Sequence, residues 1–379
     1  MSTLNVEGIK NTAATSNAIT LATDGTCTAK VTNNLSNRNL IINGAMNVAQ
    51  RQSTTTTIGD FVADRWRFWG NGGTTTYTSE SLSSGTPYNL GFRKFIRLTN
   101  TANASGAANY RLLRYTPEAQ HIANSGWNYT SASSYITLSF WIRASIAQNY
   151  YAYIHTQDGT EKNYIIETGA LTANTWTKIT KTIPGGTGVQ FNNDYGAGAR
   201  IDFVPFWGTD YTGSVAINEW VTYSGSTRTP DMTNTWAATN GATFDLTGVQ
   251  LEVGDNATDF EHILYGDELV KCQRYCRVYG GESAYTRLGI GIYYNAARLE
   301  VPLDINMRAQ PTMTVSSASH WKREGASGSN VCTAMGLDGN SNSQMAIVWG
   351  DGSNLTAGEG ARMVANNTTD ARIILTSEP

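Results

Sequence analysis

From residue 61 to residue 253 apolar and polar side chains alternate in short runs bounded by Gly, Asn, Ser or Thr, a period of two that marks half-buried β-strands. The pattern predicts strands over 62–69, 74–79, 92–98, 110–115, 135–143, 150–156, 163–167, 176–183, 200–207, 215–223 and 243–253. The clearest is 135–143. There Ile136, Leu138, Phe140 and Ile142 take one face and Thr137, Ser139, Trp141 and Arg143 the other, so one face meets a core and the other is partly wet. One helical turn is expected near 118–123, and Gly248 breaks the last alternation as a β-bulge does. The period then changes: Leu269, Cys272 and Cys276 recur at spacings of three and four, so 267–277 reads as a short amphipathic helix. Beyond Gly281 a second β set follows over 287–294, 298–303, 312–316, 344–349 and 371–376, punctuated by Pro302 and Pro311.

Regularly spaced strands without βαβ alternation make the chain all-β, of the sandwich or jelly-roll kind. At 379 residues it accommodates several domains. Residues 1–60 read as an attachment segment and linker, because Leu4, Val6, Ile9, Ile19, Leu21 and Val31 are too few to close a core. Residues 61–265 form the large β domain, 266–280 a connecting helix, and 281–379 a smaller β-sandwich. The latter has long loops at 325–330, 338–343 and 351–360, and loops on a rigid scaffold are where binding usually resides.

Three elements carry a family resemblance: LIINGAMNVAQR (40–51), DRW (64–66), and the set GVQLEVG (248–254), FEH (260–262) and YGDELVKCQRYC (265–276). In order and separation they resemble a recurrent element of tail-fibre and other adhesin-like virion proteins of tailed bacteriophages, including phages of cyanobacteria. The resemblance implies a carbohydrate-binding-module-like jelly roll on a trimeric virion fibre or knob. Its N-terminus would join other virion proteins and its distal end would touch host surface polysaccharide. A capsid, head-fibre or baseplate decoration and a glycan depolymerase are the alternatives. In a parallel homotrimer the narrow stripe of Leu269, Cys272 and Cys276 would be buried about the axis. By the same analogy Asn192, Asn193 and Asp194 are conceivable calcium ligands.

Composition narrows the chemistry. Charged residues are 15%, the net charge is −3, and no run of Lys and Arg is present, so nucleic acid is not an expected partner. The first residues have no secretory or transit pattern and no stretch approaches the ~18 apolar residues of a membrane span. The expectation is a chain made in a cytoplasm and assembled into a virion, without membrane insertion. Four cysteines, Cys27, Cys272, Cys276 and Cys332, are too scattered for a disulfide framework. Cys272 and Cys276 with His262 give three ligands where a structural zinc wants four, so the pair reads as small buried hydrophobes. The run from Asp338 to Asn342 starts like a calcium loop, but Trp349 stands where the distal acid belongs. No nucleophile elbow, zinc-protease helix or phosphate loop is present and the four histidines are isolated, so no enzyme, cofactor or metal is expected.

Aromatic residues are the positive signal, with 10 Trp and 19 Tyr against 10 Phe. Trp and Tyr combine an apolar face with a polar tip, which suits stacking on a sugar ring while hydrogen-bonding a hydroxyl. The candidate ligand contacts are Trp127 with Tyr129, Trp207 with Tyr211, and Trp321, where Lys322 and Arg323 add two cations suited to an acidic sugar. Each of these rings is also read as a plug at a sandwich end or a subunit contact.

Overall fold

The alternation over 135–143 is the centre of a six-stranded sheet. In this computed structural model, which describes residues 6–379 apart from 11, 14, 16, 26, 30–36, 103–104, 295–297 and 354–355, that sheet runs Thr177–Pro184, Tyr135–Ala144, Thr243–Val253, Lys94–Asn100, Thr75–Ser81, Thr54–Thr55. A seven-stranded sheet faces it in the order Trp220–Thr222, Lys162–Ala170, Asn149–Thr156, Ala199–Trp207, Tyr110–Tyr115, Trp66–Asn71, Phe61–Ala63. Neighbours are antiparallel, and the two sheets form a jelly-roll β-sandwich. Ile136, Leu138, Phe140 and Ile142 point into the space between the sheets, where Phe140 meets Phe203 at 4.9 Å and Trp66 meets Phe203 at 5.9 Å between ring centroids. Each such fully buried side chain stabilises the fold by about 1.5–3 kcal/mol.

Several expectations are corrected. The strand expected over 62–69 is two strands, Phe61–Ala63 and Trp66–Asn71, because Arg65 turns the chain with φ of 75°. The strand expected over 215–223 shrinks to Trp220–Thr222, and the residues before it lie as a loop over the outer face of the seven-stranded sheet. Within residues 37–50, Ile41, Met46 and Val48 are buried in the jelly-roll core. Ahead of them Gly8–Ile9, Ile19–Leu21 and Cys27–Ala29 form a small three-stranded sheet. Leu4 and Val31 fall outside the described residues.

The helix is Tyr265–Gln273, and the chain then turns at once into a strand, Cys276–Gly280. Cys272, Tyr275 and Cys276 are buried within this one chain and Leu269 is half-buried, so two of the three residues assigned to a trimer seam are covered without other copies and Leu269 only in part. Burial raises the Cys272 thiol well above its usual range and pushes that of Cys276 up to about 12. No helix among the described residues is long and apolar enough to cross a membrane.

The C-terminal sandwich packs Cys276–Gly280, Arg372–Thr376 and Thr312–Val315 against a seven-stranded sheet. The latter runs Gly328–Val331, Trp321–Gly325, Gly360–Ala365, Arg287–Tyr293, Arg298–Asp304, Met345–Asp351, Ala334–Leu337. Leu299, Val301, Val348, Met363, Ile373 and Leu375 fill its core. Two clamps strap it to the jelly roll. Glu118 accepts from Arg274 Nε at 2.7 Å and Nη2 at 2.8 Å, and from the Tyr275 hydroxyl. Glu378 pairs with Arg65 and, at 2.8 Å, with Arg51.

Burial alone would raise the Glu118 carboxyl, but the hydrogen bonds from Arg274 and Tyr275 outweigh it and hold the group down at about 2. A depressed carboxyl contributes stability that is full above its unfolded value near 4.5 and is lost as pH falls through about 2. Glu118→Gln is therefore expected to cost about 2–3 kcal/mol at neutral pH, with the gap to the parent narrowing steadily below pH ~4.5. Urea denaturation of both proteins across that range measures it, and a gap independent of pH would remove this role from Glu118.

Candidate functional site

The outer face of the seven-stranded sheet is built by the side chains that alternate away from the core. Cross-strand register places Arg67 opposite Arg114, Arg114 opposite Asp202, and Asp202 opposite Tyr153, so four polar side chains form a row across neighbouring strands. Arg114 grips buried Asp202 bidentately, Nε to Oδ1 and Nη2 to Oδ2, both at 2.7 Å. Burial works against the Arg114 charge, and Asp202 more than restores it. Beside this row Arg67 lies 4.4 Å from the centroid of half-buried Trp69. On the next row Arg200 stands opposite His155, whose ring stacks on Tyr223 at 3.8 Å.

The loop over this face completes it. Arg228 sits 4.6 Å from Trp207 and 5.1 Å from Tyr211, while Tyr110 packs between them at 4.5 Å and 5.4 Å. Arg67, Arg200 and Arg228 have no carboxylate partner among the described residues. Burial, and then repulsion from Arg114, lowers the affinity of Arg67 and Arg200 for their protons. An anion placed there would relieve that repulsion.

Arg67 also lines a cavity of about 570 Å³ between the two sandwiches, so strip and cavity are continuous. Phe61 forms part of its wall, with Arg51 stacked 4.1 Å from the ring. From the C-terminal side come Thr312, Thr314 and Arg308, whose guanidinium donates to the carbonyls of Ser377 and Glu378 and to that of Tyr195. Sites at domain joints with a few convergent polar groups are common ligand sites. No basic run marks this face in the sequence, because the fold gathers its arginines from separate strands.

The residues named from sequence are dispersed. Trp207 and Tyr211 belong to this face, with centroids 4.8 Å apart, but Trp207 is buried as its base and only half-exposed Tyr211 reaches the surface. Trp127 is buried and, with Tyr129 and Phe191, plugs one end of the jelly roll, its Nε1 donating to the Ser134 carbonyl at 3.1 Å. Trp321 and Arg323 are fully buried in the C-terminal sandwich, and Lys322, on the other face of that strand, pairs with Glu324 at 2.6 Å. The expected contact of Trp321, Lys322 and Arg323 with a ligand is thus corrected: strand alternation turns the indole inward. Asn192 closes its loop on Asp158, and Asn193 accepts from Asn124. Among the described residues no three His, Cys, Asp or Glu side chains are grouped to hold a metal.

No protein-family model and no curated protein matches the sequence. Among solved structures the chain is similar to the enzymatically active domain of a tailspike protein of bacteriophage CBA120, at 15% identity and a TM-score of 0.32, over 57% of this chain and 21% of that one. The chain therefore spans about a fifth of that tailspike chain. It is also similar to a family 11 carbohydrate-binding module from Clostridium thermocellum in complex with a mixed-linked tetrasaccharide, at 13% identity and a TM-score of 0.26, over 56% and 99% of the two chains. A xylan-binding domain from Paenibacillus barcinonensis is similar at 9% identity and a TM-score of 0.27, over 55% and 99%.

Since Trp321 is core, Trp321→Ala is expected to destabilise the C-terminal sandwich by about 3–5 kcal/mol. Thermal unfolding checks this, and a variant as stable as the parent would put Trp321 back among the surface candidates.

Proposed function

We propose that this chain is a non-catalytic glycan-binding protein of a phage virion, a tail fibre or receptor-binding adhesin, and that its arginine–aromatic strip takes an acidic host surface polysaccharide. The observation that carries this reading is the pair Arg67 and Arg228, held against aromatic rings with no carboxylate partner among the described residues. With Nε of each donated to a backbone carbonyl, the Nη1 and Nη2 end of the guanidinium is left for bidentate contact with a carboxylate or sulfate, and neighbouring rings such as Tyr110 and Tyr211 offer faces to sugar C–H groups. The placement on a virion rests on the three motifs shared in order and spacing with tail-fibre proteins. In support of a binding rather than a hydrolytic role, two carboxylates line the cleft, Asp60 and Glu378, and Glu378 is taken up by Arg51 and Arg65, which leaves Asp60 without a second acid to work with as general acid or base.

A second reading, a capsid or baseplate decoration that works through protein contacts, is favoured by one feature. On the C-terminal sandwich Ile290, Ile292 and Tyr294 are 78%, 62% and 72% exposed, a stripe suited to protein and not to sugar. A homotrimer would use the same stripe, and light scattering of the parent and of Ile290→Lys separates assembly from monomer.

Calorimetry with an acidic polysaccharide, polygalacturonate, against neutral dextran tests the binding reading. Arg67→Gln and Trp69→Ala are each expected to weaken binding by about tenfold or more, and added salt to weaken it further. Parent-like affinity in both variants would remove the strip from the function, and release of reducing sugar would overturn the non-catalytic assignment.

A further inference from the structure

We infer that the opposite face of the jelly roll carries a second, separate saccharide site, a small pocket that takes a single neutral pyranose ring. On the outer side of Tyr135–Ala144, Ser139 and Trp141 line a pocket of about 220 Å³. Its far wall is an aromatic triad: Phe92 lies 4.8 Å from Phe260 and 5.1 Å from His262, and those two are 5.0 Å apart. His262 is fixed by a contact of Nε2 with the Leu90 carbonyl at 2.9 Å. The volume is below the ~300–1,000 Å³ of sites for larger ligands, so one ring fits and an oligomer does not.

The pocket is held open by the bulge. The register between Tyr135–Ala144 and Thr243–Val253 shifts between Ser139 and Trp141, beside Gly248, whose φ is 61°. A Cβ on Gly248 would lie 2.7 Å from the Phe92 ring and 3.0 Å from Trp141 Cδ1. Glycine there is what lets the rings of both walls stand where they do.

Two features choose the ligand. Ser139 lines the pocket, and its hydroxyl makes no hydrogen bond among the described residues and stays open to the pocket, so a ligand hydroxyl can pair with it. At the rim stand Lys178, opposite Trp141 in the register, and Asp259; neither side chain has an ion pair among the described residues. Their charges balance, so the site does not attract an anion as the strip does. A pyranose meets these demands together, with C–H groups against the indole and Phe260, and hydroxyls toward Ser139, Lys178 and Asp259.

Saturation-transfer NMR and calorimetry on the full chain, with the methyl pyranosides of glucose, galactose and mannose as probes, decide the matter. At least one is expected to bind with a millimolar Kd and to remain bound in excess polygalacturonate, which separates this site from the strip. Ser139→Ala, which removes one atom, should weaken that binding about fivefold, and Gly248→Ala should abolish it. Should Gly248→Ala fail to fold, Ser139→Ala and Trp141→Ala carry the test. No saturation transfer from any of the three sugars, displacement by polygalacturonate, or parent-like affinity in both Ser139→Ala and Trp141→Ala would overturn the proposal. Binding of indole in place of all three sugars would overturn it as well.

Discussion

Arg65 is buried between the two sandwiches, and a guanidinium persists there only if a carboxylate lies beside it. Glu378 provides that partner, the Tyr275 ring lies 3.5 Å away, and the Thr116 carbonyl accepts a further hydrogen bond. The backbone at Arg65 is itself strained into the left-handed region, with φ of 75°, and the fixed contacts of its side chain hold it there. Around this pair the rest of the joint closes. Arg51 reaches the same Glu378, Gln50 donates to the Cys276 carbonyl at 2.9 Å, and Glu118 takes Arg274 and Tyr275 in a second clamp. Removing one partner from such a pair costs more than the pair itself contributes, because a charge is left in a place that water does not reach.

The recurrent motifs make sense in this light. Asn43 donates through Nδ2 to the Val48 and Asp64 carbonyls, its own carbonyl accepts from Trp66 Nε1, and its backbone N–H donates to Glu268 on the helix. A Cβ on Gly44 would come within 2.1 Å of the Val249 carbonyl oxygen. Letters from 40–51, 64–66, 248–254 and 265–276 thus meet at one place, and most of them answer a packing problem. Gly248 and Arg51, with Phe260 and His262 of the neighbouring FEH segment, also line pockets. The motif residues therefore mostly build the scaffold, while the arginine–aromatic strip lies on strands between them.

The exposed patches on both outer faces follow from the same construction. Once the inner faces are spent on the core, each strand still presents every second residue outward, and the loop before Trp220 and the segment around Phe260 cover only parts of those faces. What remains half-exposed on the seven-stranded side is rich in Arg and Tyr, and on the six-stranded side it narrows to a glycine-gated pocket.

The strands over 110–115 and 243–253 stand in the structure where the alternation puts them, and 135–143 extends by one residue, because which side chains share a face is a local property of an extended chain. The helix was legible in the same way, though its end was not: Cys276 and Arg277 are drawn into a strand by pairing with Thr376 and Leu375, partners about a hundred residues away. Alternation tells which residues go together and says nothing of what covers them. Trp321 and Arg323 share a face of the strand Trp321–Gly325, which the sequence did not reveal, and the packing of the second sandwich makes that face the inside. Arg67, Arg114, Arg200 and Arg228 are spread through 162 positions of sequence (228 minus 67, counted inclusively), and the antiparallel register of the seven-stranded sheet, with its covering loop, is what brings them onto one surface. Composition and period determined an all-β chain with aromatic surfaces; long-range pairing decided which of those aromatics a ligand can reach.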